Sequence, residues 1–216
     1  MENPFFTDST LPYQAPRFDL LRIDHYRPAF DEAVRCKRAE IADIVTCSAA
    51  PTFENTCLAL EQSGRMLSQV TAVFFAMASA NTNPEIQQLE SAFSETLAEL
   101  SDEIYLNCHL FTRVDSLYQI RETLGLDAES LRLLTILWQR FMLAGAMLAP
   151  EKQARLSALN KRSAQLTSTF SHRLLAATKA GGFWVDNARA LAGLSTVDVE
   201  NAAQAAREKG KVGSWL

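Results

Sequence analysis

Residues 52–107 decide the fold. Thr52-Phe53-Glu54-Asn55-Thr56 leads into an apolar run that closes on Phe74-Phe75-Ala76-Met77-Ala78. Asn81-Thr82-Asn83-Pro84 turns the chain, and an acidic repeat then runs to Tyr105-Leu106-Asn107. The Asn83 side chain can accept an amide N–H from the first helical turn, and Pro84 suits the first helical position, where no N–H is needed. Beyond it Ile86, Phe93 and Leu100 recur every seven residues, interleaved by Leu89, Leu97 and Ile104. Steps of three and four place all six on one helical face. The stretch is therefore predicted to be a helical hairpin with a wide apolar stripe, against which the other helices pack.

Composition agrees with a helical fold. Of 216 residues 48% are hydrophobic, while 8 Gly and 7 Pro are too few for a many-stranded sheet with its turns. A net charge of -4 gives no polybasic surface for nucleic acid or membrane. Met66 to Pro84 carries no charge, but Ser68, Gln69, Thr71 and Ser79 make it too polar for hydrocarbon, so a buried core helix is expected. The start of the chain lacks a basic segment followed by an apolar one, and Cys36, Cys47, Cys57 and Cys108 form no CxxC pair. Reduced thiols in a cytoplasmic protein follow from that pattern.

Upstream, Pro4, Pro12 and Pro16 lie among Phe5, Phe6, Tyr13 and Phe18, which predicts an ordered extended arm over residues 1–25. Pro28 is expected to open the first helix, with Phe30, Val34, Ile41 and Ile44 facing inward, and Ser48-Ala49-Ala50-Pro51 to end it. Downstream, a stripe from Leu110 to Leu124 stops at Gly125, and Asp127 caps a helix through Leu134, Leu137 and Phe141. Pro150 begins the longest helix, to about Lys179, with Leu156, Leu159, Leu166, Phe170 and Leu174 predicted inward. Gly181-Gly182 ends it, Phe183-Trp184-Val185 reads as a strand, and Ser195 with Asp198 forms a capping box for a short Ala-rich helix. The chain closes on Trp215-Leu216, two large apolar residues that look like a cut. The predicted architecture is mostly α: a bundle of antiparallel helical hairpins with an extended arm and a short strand at 183–185.

The acidic helix carries Glu85, Glu90, Glu95, Glu99, Asp102 and Glu103 with no basic residue, and the helix after Pro150 carries Lys152, Arg155, Lys161, Arg162 and Arg173. A groove polarised for a charged peptide is one reading; two solvated faces is the simpler expectation. The histidines, His25, His109 and His172, are far apart, and none belongs to an HExxH pair able to share a zinc from one helical face. Cys108 and His109 diverge by about 100° around a helix, which argues against a shared ion. Glu99 and Glu103 share a face but need burial to become an acid/base pair. No GxSxG elbow and no Gly-rich phosphate loop occurs. No catalytic and no metal residue is assigned, and substrate-binding residues stay unknown.

Several stretches resemble a known family in order. Leu11-Pro12-Tyr13, Ala15-Pro16, Phe18-Asp19 and His25-Tyr26-Arg27-Pro28-Ala29-Phe30-Asp31-Glu32 look like the start of bacterial peptidyl-dipeptidases, in the thimet-oligopeptidase family of zinc metallopeptidases. Phe53-Glu54-Asn55-Thr56, Val73-Phe74-Phe75-Ala76-Met77, Gln139-Arg140-Phe141, Arg173-Leu174-Leu175-Ala176-Ala177 and Ala205-Ala206-Arg207-Glu208-Lys209-Gly210 continue the match across the whole chain. The resemblance implies that residues 26–216 are the helical N-terminal domain of a cytoplasmic enzyme that releases C-terminal dipeptides from short peptides. The family's zinc, its HExxH and the Glu that activates water lie in a C-terminal catalytic domain absent here. It further implies that this part walls a channel admitting short peptides, with the catalytic domain as partner and neither nucleic acid nor membrane. Inactivity of this chain alone is the expectation. A stand-alone peptide-binding module and the same region of an internally cleaving oligopeptidase are the alternatives.

Overall fold

The computed structural model describes residues 3–215. Eight α-helices are formed among them: α1 (Ile23–Thr46), α2 (Ala59–Gln62), α3 (Arg65–Ala80), α4 (Pro84–Tyr105), α5 (Cys108–Gln119), α6 (Ala128–Ala144), α7 (Pro150–Ala180) and α8 (Thr196–Glu208). A π-helical turn, Phe53–Leu58, runs directly into α2. The chain divides into two compact units, Met1–Ser168 and Thr169–Leu216.

The first unit is built on the hairpin of α3 and α4. The Asn83 side chain accepts the Ile86 N–H at 2.9 Å, and Pro84 takes the first helical position. Ile86, Phe93, Leu100 and Ile104 are buried, with Leu89 and Leu97 packed against them, so the seven-residue stripe is the core face. The rings of Phe30 and Phe93 stack at 3.8 Å between centroids, and Phe74 meets Phe93 edge-on at 4.7 Å. Tyr26 and Phe5 extend this aromatic column through Phe74. Each fully buried ring or leucine contributes about 1.5–3 kcal/mol, so the α1, α3 and α4 helices are held mainly by this column.

Pro28 does not open α1. The helix begins five residues earlier at Ile23, and Pro28 sits inside it on the exposed side. Tyr26, Ala29, Phe30, Ala33 and Val34 form one buried stripe, and burying Tyr26 draws the helix start upstream. The missing N–H of Pro28 leaves the Asp24 carbonyl without its helical donor at a water-facing position, a tolerable site for that loss. Upstream, Pro4–Phe6 and Pro12–Gln14 form 3-10 turns, Phe5 is buried, and the Asn3 side-chain amide donates to the His25 carbonyl at 2.8 Å.

Polar side chains cap the helices at these connections. Thr52 accepts the Asn55 N–H at 3.1 Å and Asp127 the Ser130 N–H at 2.7 Å. Gly145 ends α6 at φ +96, where an added Cβ would come within 2.8 Å of the Leu148 side chain. Asn107, not foreseen from the sequence, caps α5 by accepting the Leu110 N–H at 3.0 Å.

The helix from Pro150 corrects a second expectation. Its length is as predicted, but its only buried residue is Ser168. Leu159, Leu166, Phe170 and Leu174 are more than half exposed, at 57%, 51%, 66% and 56%. Residues of its polar face in the first unit turn inward instead, for the reason given below.

In the second unit β1 (Trp184–Val185) pairs antiparallel with β2 (Ser214–Trp215), Trp184 opposite Trp215. The Trp184 indole N–H donates to the Val212 carbonyl at 2.8 Å. Gly213 makes the return at φ +114, where a Cβ would lie 2.7 Å from the Val185 carbonyl oxygen. Ser195 and Asp198 form the predicted capping box of α8, whose Ala202 and Ala206 are buried. β2 was not anticipated, because Gly210, Gly213 and only two bridging residues carry no strand periodicity.

Candidate functional site

The chemistry-bearing side chains are dispersed. His25 Nδ1 accepts the Arg22 N–H at 3.2 Å as part of the α1 cap, His109 is exposed in the first turn of α5, and His172 lies in the last third of α7. Among the described residues no three His, Cys, Asp or Glu side chains come together where a metal ion could sit. Cys57 is fully buried, and burial pushes its thiol up to about 12, so it stays protonated and inert. Cys108 is exposed, and Cys36 is half-buried beside Glu32.

The acidic and basic helices are not two solvated faces. Lys161 Nζ on α7 bridges Glu95 and Glu99 on α4, at 2.7 Å to each. Asn160 donates to Asp102 at 2.8 Å, and the Ser91 and Ser168 hydroxyls lie 2.9 Å apart. Arg38 of α1 forks onto Glu103 with two bonds of 2.7 Å. Long side chains spaced at i, i+4 along α4 reach a neighbouring helix, which explains why α7 faces the bundle with its polar side. Lys161 holds the Glu95 carboxyl below its ordinary range, with a smaller contribution from Gln165. Glu99 and Glu103 thus serve as ion-pair partners, and the acid/base reading of that pair gains no support.

A polar knot that sequence reasoning missed closes the connection between α1 and α2. Arg113 is 9% exposed and donates to the carbonyls of Cys47 at 3.0 Å and Ala49 at 3.3 Å. It also donates to Asn55 Oδ1 at 2.9 Å, which accepts the Thr52 N–H and the Thr56 hydroxyl as well. The available signal was an arginine standing within the apolar stripe Leu110, Val114, Leu117 of α5. Its role is structural: it satisfies loop carbonyls that face the interior.

Two adjoining clefts flank the N-terminal segment. The smaller, about 430 Å³, lies between residues 4–21 and Gln69. The larger, about 1140 Å³, is bounded by Phe5, Phe6, Asp8 and Gln14 on one side and by α1 and the start of α3 on the other. Its helical wall includes Pro28, Cys36, Arg65 and Met66.

No family model matches the sequence. Over 214 residues, 99% of its length, the chain is 61% identical to the dipeptidyl carboxypeptidase of Salmonella typhimurium and 56% identical to that of Escherichia coli. It spans 32% and 31% of those proteins, so it corresponds to about a third of each. A more distant similarity, 25% identity over 90% of the chain, connects it to oligopeptidase A of Salmonella typhimurium, of which it spans 28%. Among the described residues no helix is long and apolar enough to cross a membrane.

Proposed function

We propose that this chain is the non-catalytic, helical N-terminal part of a cytoplasmic zinc metallopeptidase that removes dipeptides from the C-terminus of short peptides, and that it forms one wall of the substrate channel. The observation that carries the reading is the 61% identity over 99% of the chain to a dipeptidyl carboxypeptidase three times its length. Higher identity to the two dipeptidyl carboxypeptidases than to oligopeptidase A favours exopeptidase over internal cleavage. The zinc and the water-activating Glu belong to the polypeptide that completes the enzyme. A rigid wall suits this chain's composition: the aromatic column fixes α1, α3 and α4, while the outward apolar residues of α7 offer a surface for that remaining polypeptide.

A chimera tests the proposal. The matching third of the Salmonella typhimurium protein is replaced by residues 1–216, and release of C-terminal dipeptides from a short peptide is followed. The chimera is expected to retain activity and the 216-residue chain alone to have none. A folded chimera without activity, or dipeptide release by the chain alone, overturns the reading.

A further inference from the structure

We propose that Lys37 is a covalent modification site that captures small uncharged aliphatic aldehydes as an imine, selected by the cavity against which its side chain lies. The cavity, about 220 Å³, lies within the first unit, with Leu60, Leu67, Leu97, Ile104 and Leu137 among its walls. That is below the range of about 300–1,000 Å³ usual for drug-sized ligands, so the space admits a molecule of a few carbons. Leucine walls favour an alkyl chain over a polar one. Glu61 shares the lining and is exposed, so it repels aldehydes that carry a carboxylate.

The amine at this cavity differs from the other lysines. Lys152, Lys179, Lys209 and Lys211 are exposed, and Lys161 is held between Glu95 and Glu99. Lys37 Nζ instead donates to the Ser63 carbonyl at 2.9 Å and to the Ser63 hydroxyl, both neutral acceptors. Its stem crosses Gly64, which stands at φ +76 and where a Cβ would come within 2.6 Å of Lys37 Cδ. The corner between α2 and α3 thus seats the stem and holds the amine in place. Burial draws the ammonium below the ordinary lysine range, against the opposing pull of Glu40 and Glu61. More of this amine therefore carries a free lone pair at neutral pH than on an exposed lysine.

That lone pair attacks the aldehyde carbon, forming the C–N bond while the carbonyl oxygen takes up the proton that the nitrogen gives up. The carbinolamine then loses water and the C=N bond forms, with no net oxidation or reduction. Apolar walls shield the imine from the water that would reverse it. An imine nitrogen keeps at most one N–H, so at least one of the two bonds to Ser63 is broken. The other tie from α1 to this corner is Glu40, which accepts the Gly64 N–H. Capture of an aldehyde therefore loosens the turn between α2 and α3.

Competition among lysines in the 216-residue chain tests the site. The chain is treated at neutral pH with 3-methylbutanal or with glyoxylate, adducts are fixed by cyanoborohydride, and each lysine is followed by peptide mapping. Lys37 is expected to react with 3-methylbutanal several-fold faster than Lys152 or Lys179, and to lose that advantage with glyoxylate. Ser101→Trp, which fills the exposed rim of the cavity, should cancel the preference for 3-methylbutanal. Glu61→Gln should raise the glyoxylate rate at Lys37 several-fold. Neither residue belongs to the core, so both variants are expected to keep full helicity by circular dichroism. Without reductant, 3-methylbutanal should raise amide exchange several-fold in residues 60–66 and leave it unchanged in Lys37→Arg. A Lys37 no faster than Lys152, an equal advantage with glyoxylate, or a preference that survives in folded Ser101→Trp overturns the site. These rates and the activity of the chimera are separate readouts, so either proposal can fail alone.

Discussion

Arg113 shows what a single buried cation can fix. Three hydrogen bonds tie it to two loop carbonyls and to Asn55, with no carboxylate in the set, and its Nε has no partner among the described residues. The charge is tolerated because carbonyl and amide dipoles surround the guanidinium on its other nitrogens. Arg113→Ala removes the donors and leaves interior carbonyls unpaired, so a loss of about 3 kcal/mol in unfolding free energy is expected, read from urea denaturation. Arg113→Lys should recover little, because a point charge cannot fork onto Asn55 and the loop together. A loss within about 0.5 kcal/mol for the alanine variant, the range of an ordinary surface change, would sink the account of the knot. The same knot gives the Phe53-Glu54-Asn55-Thr56 stretch a physical reason: Thr52 and Asn55 cap each other's backbone while Asn55 receives the arginine.

At the scale of elements, α7 and α4 are joined by polar contacts through residue 168, and those contacts should titrate. Glu95 is held below its ordinary carboxylate range by Lys161, so its pairing stabilises in full above about pH 4.5 and is lost as pH falls through the lowered value. The groups meeting there are Glu95, Glu99, Asp102, Asn160 and Lys161, all partly exposed. Such solvent-screened pairs are individually weak, so amide exchange in residues 150–168 is expected to rise only about two- to fivefold on acidification below that window. High salt at neutral pH should act in the same direction, and Lys161→Met should remove both responses. Unchanged exchange across that pH range would show that the tie does not hold the helix. This helix also marks the limit of what the sequence discloses. Asn83-Pro84, Asp127, Ser195 and the seven-residue stripe of α4 were legible because caps and periodicity are local. The spacing of Leu159, Leu166, Phe170 and Leu174 says that they share a face, but not which way the face looks. That direction depends on Lys161 finding Glu95 and Glu99 more than sixty residues away in sequence, which no periodicity encodes. The cleft was illegible for the same reason, since Gln14 and Arg65, which line it, meet only after folding.

For the molecule as a whole, the outward leucines of α7 create an imbalance. Leu143, Met147, Leu159 and Leu166 lie in the first unit with exposures of 88%, 68%, 57% and 51%, large apolar side chains left in water. On the proposed function a further polypeptide would cover Leu159 and Leu166, and the chain made alone must leave them in water or bury them against another copy. Burying apolar surface favours association, and mass action favours the second outcome further as concentration rises. The 216-residue chain is therefore expected to sediment as a concentration-dependent mixture of monomer and larger species. Leu159→Ser together with Leu166→Ser should shift it toward monomer without loss of helicity, because neither side chain contributes to the core. In the chimera the same two substitutions should lower activity or stability, since there they would remove contacts to the completing polypeptide. A wild-type chain that stays monomeric at every concentration, with a chimera indifferent to both serines, would mean that α7 presents this face to water by design and that the completing polypeptide docks elsewhere.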